Sequence, residues 1–455
     1  MKKTAACIIL FLCALSMPRL LHAEAAATDE SLSQYQADED MRILRPAAHP
    51  FTPSYGGWFS PMFMDDRSGT SDNPRELGLA VVNTRLWLKS TLWGNSFIYL
   101  RGRYVFEGAV IEEGVDIDDT NNLFDLDLGF IKIGNDSDTL QLFLGRKFFL
   151  MGTGIVMNGR ADGAEARLYS RYVDIMLMGA YTGLLKKDNN PYNMSERDYS
   201  DGSRRVFAGG TLSRTFSGQT LYLMGLAQID LGKEEDTAKT RYQSQYYGAG
   251  ANGVVFGTMR YYGEFIYEMG TSYMGVTNQK ADIAAHAGNF GIDYYIPASV
   301  RPAFMLQYAY GSGDPERDDY TSPIGNTAGD DTGFLSFGTF TGGYGLRPVL
   351  ANIHIIRAGF SLAPFHGAAT RAFRQISFLF KYSYYMKYDT EAAINYGEAP
   401  FPERDLGHGG DVALRWRVFS DVSFFANYGI FLPGKAYSTD EETRHFFMGG
   451  MNLFF

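Results

Sequence analysis

The residues able to do chemistry in this chain are few, and their spacing excludes more than it offers. Seven histidines occur, and His22 lies in a segment that reads as an N-terminal address. The other six, His49, His286, His354, His366, His408 and His445, show no metal-ligand spacing such as H-x-x-x-H. His354 reads as the one histidine within a strand, with no evident serine or carboxylate partner. No G-x-S-x-G turn and no phosphate-cradling loop appears. Neither catalytic residues nor a metal or cofactor is assigned, and a non-enzyme is expected. Both cysteines, Cys7 and Cys13, fall in the same address segment. The mature chain is therefore expected to have no disulfide, thiolate metal site, cysteine nucleophile or lipid-anchored cysteine.

The chemistry that remains is charge at alternate positions. Arg85 and Lys89, Arg101 and Arg103, Arg260, Arg357, Lys381 and Lys387, and Arg415 and Arg417 sit opposite apolar residues in period-2 segments. If the apolar face meets lipid, these cations project into an enclosed interior, where rings of Arg and Lys favour anions. The same residues could instead brace the wall by pairing with Glu107, Asp125, Asp127, Glu165, Glu264, Glu268 and Asp411. The pattern leaves both readings open. Other acids concentrate between segments: Glu112, Glu113, Asp116, Asp118 and Asp119 in one connection, and Asp314, Glu316, Asp318, Asp319, Asp330 and Asp331 in another. Neither spacing matches a defined Ca²⁺ loop.

These cations need strands to position them. In Ile376–Met386, Ile376, Phe378, Phe380, Tyr382, Tyr384 and Met386 share one face, opposite Ser377, Lys381, Ser383 and Tyr385. Phe265, Tyr267 and Met269 alternate with Glu264 and Glu268 in the same way, and Leu414 and Trp416 with Arg415 and Arg417. Strands are expected near 54–64, 76–93, 97–109, 123–133, 139–149, 163–170, 173–184, 204–215, 220–231, 242–256, 259–270, 283–297, 301–311, 351–363, 373–388, 407–419, 422–432 and 444–455. The gaps between them read as strictly alternating short and long. Gly94-Asn95, Ser217–Gln219, Gly257-Thr258, Pro297–Val300 and Ser420-Asp421 mark short ones; 110–122, 185–203, 312–350 and 389–406 are long. Short turns at one end and long loops at the other describe an all-β, transmembrane, antiparallel up-and-down β-barrel of about 18 strands, with 16 as the alternative count.

Composition agrees with a membrane barrel. The chain has 51 Gly, 34 Phe and 30 Tyr but only 4 Trp, and no stretch after the address reaches the ~20 apolar residues of a membrane helix. A soluble sandwich with this many amphipathic strands and no covering helices would need several separate cores. Lys2 and Lys3, the apolar run Ala5–Met17, and the small residues Ala23, Ala25, Ala26 and Ala27 read as a signal peptide spanning 1–25. Residues 26–53 follow as a periplasmic lead, and 54–455 as an outer-membrane barrel with the long extracellular loop 312–350. That loop is glycine-rich, with Phe334, Phe337, Phe340 and Tyr344; it either folds inward as a constriction or lies exposed. The last strand places Phe447, Met451, Leu453 and Phe455 on one face, which resembles the signal that such barrels present to the barrel-assembly machinery. Outer-membrane lipid and lipopolysaccharide are the expected surroundings. The net charge of −10, with no basic tract, argues against nucleic acid.

The segment Gly145–Leu168, GRKFFLMGTGIVMNGRADGAEARL, resembles a G-R-(Q/K) … G … R-x-x-D-G-x-x-x-x-L segment of the alginate export family of outer-membrane barrels. Arg146, Gly152, Gly154, Arg160, Asp162 and Gly163 are the matching positions. Gly338–Leu362, GTFTGGYGLRPVLANIHIIRAGFSL, looks like a late-barrel segment of the same family. The resemblance covers most of 75–455. It implies an eighteen-stranded pore with an arginine-rich constriction, with Arg146, Arg160 and Arg167 as pore candidates. Lys147 stands where many members have Gln. The function expected is a channel for anionic solutes or polysaccharide. Alternatives are a substrate-specific porin for small carboxylates or sugars, gated by 312–350, and a non-transport surface or sheath barrel.

Overall fold

The computed structural model describes residues 51–114, 120–233 and 239–455. The expected signal peptide, nearly all of the lead 26–53, and Asp116, Asp118 and Asp119 lie outside the described residues. Eighteen strands run in order round one ring: β1 (Pro53–Thr70), β2 (Asn73–Thr91), β3 (Phe97–Glu113), β4 (Thr120–Gly134), β5 (Leu140–Met151), β6 (Met157–Leu168), β7 (Asp174–Tyr181), β8 (Arg205–Phe216) and β9 (Gln219–Asp230), then β10 (Gln243–Val255), β11 (Met259–Tyr273), β12 (Lys280–Tyr295), β13 (Ala303–Gly311), β14 (Ile353–Leu362), β15 (Ile376–Lys387), β16 (Asp405–Arg417), β17 (Val422–Pro433) and β18 (Arg444–Phe454). Each pairs antiparallel with its neighbours in sequence, and β18 closes on β1 with Trp58 opposite Phe454. Closure satisfies the backbone without water, which a bilayer requires. The even count puts Pro53 and Phe454 at one rim, the inner one; the opposite rim is called outer here.

Alternation sorts the faces as the sequence reading expects. Leu100, Leu144, Leu177, Leu223, Phe265, Phe304, Leu306 and Phe380 are exposed on the outside, while Tyr99, Arg101, Phe143, Glu264, Glu268 and Ser383 are buried within. All eighteen expected strands are present. Their ends differ, because the strands outrun the lipid. At about 3.3 Å per residue, the 19 residues of β2 far exceed an apolar band roughly 25 Å tall. Above the band polar residues stay in the ladder. The reading that 65–75 forms a loop is thus corrected: β1 and β2 remain paired to Thr70–Asn73, with Arg67 bonded to Asp65 and Glu76. The strict alternation of gap lengths fails there, since the outer turn is only Ser71-Asp72. It fails again at the inner rim, where 363–375 carries a short helix, Arg371–Arg374.

Two elements leave the wall and fill the lumen. The first is the outer half of the β5–β6 hairpin. β4 pairs with β5 only from Gly129–Arg146 downward, and β6 pairs with β7 only from Asp162–Tyr181 downward. Residues 147–161 therefore pair with no neighbouring wall strand and lean inward. Phe149, Met151, Ile155, Val156 and Met157 are fully buried there. The second is the connection between β13 and β14. Of the two placements open from sequence, the structure has it folded inward. The amides of Phe334 and Asn352 both donate to the carbonyl of Ser312, at 3.1 and 3.0 Å, so residues 335–351 form an Ω-shaped excursion whose ends meet.

At the base of that connection Arg317 is fully buried and bonds Asp331 at 2.6 Å. Burial pushes the neighbouring Asp314 carboxyl up to about 6, against amide bonds from Thr332 and Glu316 and the charge of Arg317. The histidine reading is also corrected. His286, His354, His408 and His445 all lie in strands, on β12, β14, β16 and β18.

Candidate channel interior

The interior is polarised from one side to the other. On the β2–β6 side, inward positions carry arginines around two aspartates of β4. Asp127 receives Arg101 at 2.7 Å, Arg160 at 3.1 Å and Arg85 at 3.3 Å. Asp125 receives Arg160 at 2.8 Å and Arg146 at 3.4 Å. Arg103 is a further charged neighbour of both Asp127 and Arg85, and of Glu107 above it. Asp125 and Asp127 share the lumenal face of β4 by ordinary alternation, and a bulge at Asp127 turns the next residue, Leu128, inward as well. Arg85 and Arg101 also lie over the buried ring of Trp58, at 5.3 and 5.1 Å. Five guanidiniums thus gather round Asp125, Asp127 and Asp162. Among the described residues, Arg85 Nη1 is buried with no hydrogen-bond partner in the protein.

Arg146 has a second task. Where β4 loses β5 as a partner, its carbonyls need other donors, because lipid supplies none. Arg146 Nη1 donates to Leu126 O at 3.0 Å and Nη2 to Leu184 O at 2.8 Å, while Lys186 Nζ donates to Phe124 O. The remaining Arg146 contacts are Asp162 and Asp125. Arg146 therefore rivets the open seam between β4 and the chain entering the β7–β8 connection. Arg146→Gln is expected to lower stability by about 2–4 kcal/mol, read as a lower urea midpoint for unfolding from vesicles. An unchanged midpoint would mean that the seam closes without it.

The opposite side, β9–β11, carries carboxylates that meet tyrosines and the inserted elements. Glu264 accepts from the Thr153 amide at 2.9 Å, Thr153 Oγ1 at 2.6 Å and Tyr222 OH at 2.6 Å. The tip of the β5–β6 hairpin is thereby tied across the lumen to β11. Gly152 makes this approach possible: its φ is +57°, and a Cβ there would fall 2.0 Å from Glu264 Oε2. Glu268 accepts from Tyr242 OH at 2.6 Å and from the amide of Leu335 at 3.0 Å. The loop then runs past Phe207 and Tyr242 at Phe337, and over the hairpin, where Phe337 N donates to Val156 O and Thr339 N to Gly154 O. Gly338 lies so close that a Cβ would sit 1.9 Å from Gly154 O. Further on, Arg357 and Tyr385 bond the carbonyls of Thr341 and Gly342, Asp411 accepts from the Tyr344 amide, and Arg347 bonds Asp66.

The cations named from sequence divide accordingly. Arg85, Arg101, Arg103 and Arg160 converge; Arg146 joins them from the seam. Arg167 pairs with Glu165, which also holds Lys147. Lys89 lies over Phe97 nearer the inner rim, and Arg260 pairs with Asp293 there. Arg357 sits against Ser383, Gln307 and the loop, Arg415 against Asn427, and Arg417 against the turn carbonyl of Ser420. Lys381 and Lys387 also take inward positions on β15, and Lys387 bonds the carbonyls of Thr390 and Phe401. Of the acids named as bracing partners, Asp125, Asp127 and Glu165 do pair with these cations. Glu264 and Glu268 hold the inserted elements, and Asp411, opposite Lys381, also accepts from the loop amide of Tyr344. Sequence reasoning did not find Thr153, Tyr222 or Tyr242 as site residues, nor Tyr246, whose hydroxyl donates to Leu335 O at 2.6 Å. The glycine pair at 152 and 154, set inside an apolar run, was the available signal.

The barrel is similar to solved bacterial structures. OccK8 (OprE) of Pseudomonas aeruginosa aligns with a TM-score of 0.56 at 10% identity, over 90% of this chain and 99% of that one. OccK5 (OpdH) of the same organism gives 0.55 at 11%, over 90% and 100%, and OccAB1 of Acinetobacter baumannii 0.55 at 10%, over 90% and 98%. At these identities the likeness is one of fold. No curated protein matches the chain. Closed ring, apolar outer band and polar interior make it an integral outer-membrane barrel of the porin type. The family model described as "Alginate export" matches residues 177–449, more than half the chain and including Gly338–Leu362, so the chain belongs to the alginate export family.

Proposed function

We propose that this channel passes anionic solutes along the β2–β6 wall of its lumen. The observation that carries the reading is the convergence of Arg85, Arg101, Arg103, Arg146 and Arg160 on fewer carboxylates. Away from bulk water such a surplus acts at high strength on a passing carboxylate. Arg85 Nη1 and, across the lumen, Arg357 Nη2 are buried donors without a protein acceptor among the described residues, and an anion would supply one. The hairpin and the loop both occupy the lumen, which favours small carboxylates or acidic sugars over a wide polymer.

The test is the reversal potential across a salt gradient in a planar bilayer. The native channel should prefer anions. Changing Arg85 and Arg103 together to Gln should reduce the anion-to-cation permeability ratio by about threefold or more. Cation preference in the native channel would mean that the arginines serve only as wall braces. No conductance at all would favour a sheath or surface role.

A further inference from the structure

Four of the five described histidines face outward from the barrel, and three of them repeat one geometry. Tyr308 OH lies 2.9 Å from His354 Nδ1, Tyr382 OH 2.7 Å from His408 Nδ1, and Tyr428 OH 2.7 Å from His445 Nδ1. Each tyrosine is on a strand rising to the outer rim (β13, β15, β17), and each histidine is on the strand that returns (β14, β16, β18). The register is the same every time. Tyr308 stands opposite Ile356, Tyr382 opposite Gly410 and Tyr428 opposite Phe447, and each histidine lies two residues nearer the outer rim than that partner.

Three hairpins in succession therefore present the same diagonal pair at the same height, with successive histidines roughly 10 Å apart, two strand spacings. Aromatic stacking ties the row together: Tyr310 and Tyr388 lie on His354 at 6.0 and 5.2 Å, and Tyr384 on His408 at 4.9 Å. His286 ends the row differently, reaching Tyr388 through Nε2.

An aromatic girdle at a membrane interface is general and by itself names no ligand. The pairing adds a specific chemistry. Where the phenol donates to Nδ1, the proton of the neutral imidazole sits on Nε2. The group left to meet an outside ligand is then an imidazole N–H, within four residues of the outer end of its strand in each case. Arg404 is the charged neighbour of His354, and Asp405 is the partner of Tyr384 beside His408. We infer that this row binds the phosphorylated sugar headgroup of an outer-leaflet glycolipid, with His354, His408 and His445 as its hydrogen-bond donors. The occupant follows from location and chemistry: the row faces the membrane, lies near the outer rim, and offers spaced donors to an anionic, oxygen-rich headgroup.

The experiment uses the full chain purified in detergent and titrated with a bis-phosphorylated glucosamine-disaccharide lipid and with its dephosphorylated counterpart, read by native mass spectrometry. The native protein should retain the phosphorylated lipid preferentially. The triple variant His354→Phe, His408→Phe, His445→Phe keeps the rings but not the donors, and should lose about fivefold or more in that retention. Weak binding of the dephosphorylated lipid should be the same for both. Heat modifiability on gels reports folding of each variant. Should the triple variant fail to fold, Tyr308→Phe with Tyr382→Phe and Tyr428→Phe decides: it removes only three hydroxyls, releases the tautomer, and should weaken retention of the phosphorylated lipid. Equal preference in the variant and native proteins, or no preference in the native protein, would overturn the inference.

Discussion

Removing residues 335–351 and joining the ends with a short glycine-serine linker is expected to raise single-channel conductance several-fold. The deletion is feasible because the amides of Phe334 and Asn352 bond one carbonyl, that of Ser312, and so lie within roughly 6 Å of each other. Between those points the chain travels across the lumen, from Glu268 on β11 over the β5–β6 hairpin to Asp411 on β16 and Asp66 on β1. The barrel itself should survive, since every strand keeps its neighbours and closure does not involve the loop. The residues uncovered are Phe207, Tyr242, Tyr246 and the hairpin, an apolar surface that would then meet water. A modest loss of stability is expected, together with noisier open states as the hairpin tip loses its cover. Conductance equal to the native value would show that ions never use the part of the lumen the loop fills.

Asp127→Ala should have the largest effect of any single substitution, with two readouts that move in opposite senses. Arg85, Arg101 and Arg160 all lie within 3.3 Å of this carboxylate, with Arg103 as a further neighbour. Removing one partner of a buried ion cluster leaves the remaining charges without compensation, which costs about 3–5 kcal/mol. The temperature at which the folded band disappears on gels should fall accordingly. The lumen meanwhile gains one net positive charge, so the variant channel should be more anion-selective than the native one. Stability lost with no change in selectivity would place the permeation path away from the cluster and undo the proposed function. A stable variant would mean that the arginines are already well hydrated.

Much of this was legible because a barrel wall imposes a simple code. Every lipid-exposed strand must alternate, and the run Phe378, Phe380, Tyr382 against Ser377, Lys381, Ser383 does so without ambiguity. The strand order needed nothing more than short connections. The code fails where its physical cause is absent. Gly154, Ile155, Val156 and Met157 are buried in succession in an inserted hairpin, so this stretch carries no alternation, and the start of β6 is read six residues too late from sequence. Above the lipid band no apolar face is required, so residues 65–70 of β1 and 73–75 of β2 read as loop although they are paired throughout. The basic cluster lay between these cases. Its members were identifiable as inward cations with Asp125 and Asp127 as partners, but not the bulge that turns Leu128 inward beside them, and not the different role of Glu264. The resemblance in Gly145–Leu168 drew attention to Arg146 and Arg160, whose contacts in the seam depend on where β4 and β5 part.

That seam changes what kind of object the wall is. Below Arg146 the cylinder is a continuous hoop of backbone hydrogen bonds, and a hoop resists being squeezed out of round. Above it, from β4 to the chain entering the β7–β8 connection, the hoop is cut, and the edges are tied by the side chains of Arg146 and Lys186. A tube slit over part of its length bends and ovalises at the slit long before the rest of it deforms. Lateral pressure from the surrounding bilayer would therefore be taken up at this one place, next to the arginine cluster and at the root of the inserted hairpin. The width of the lumen is in that sense set mechanically, by how tightly two side chains hold a cut ring closed.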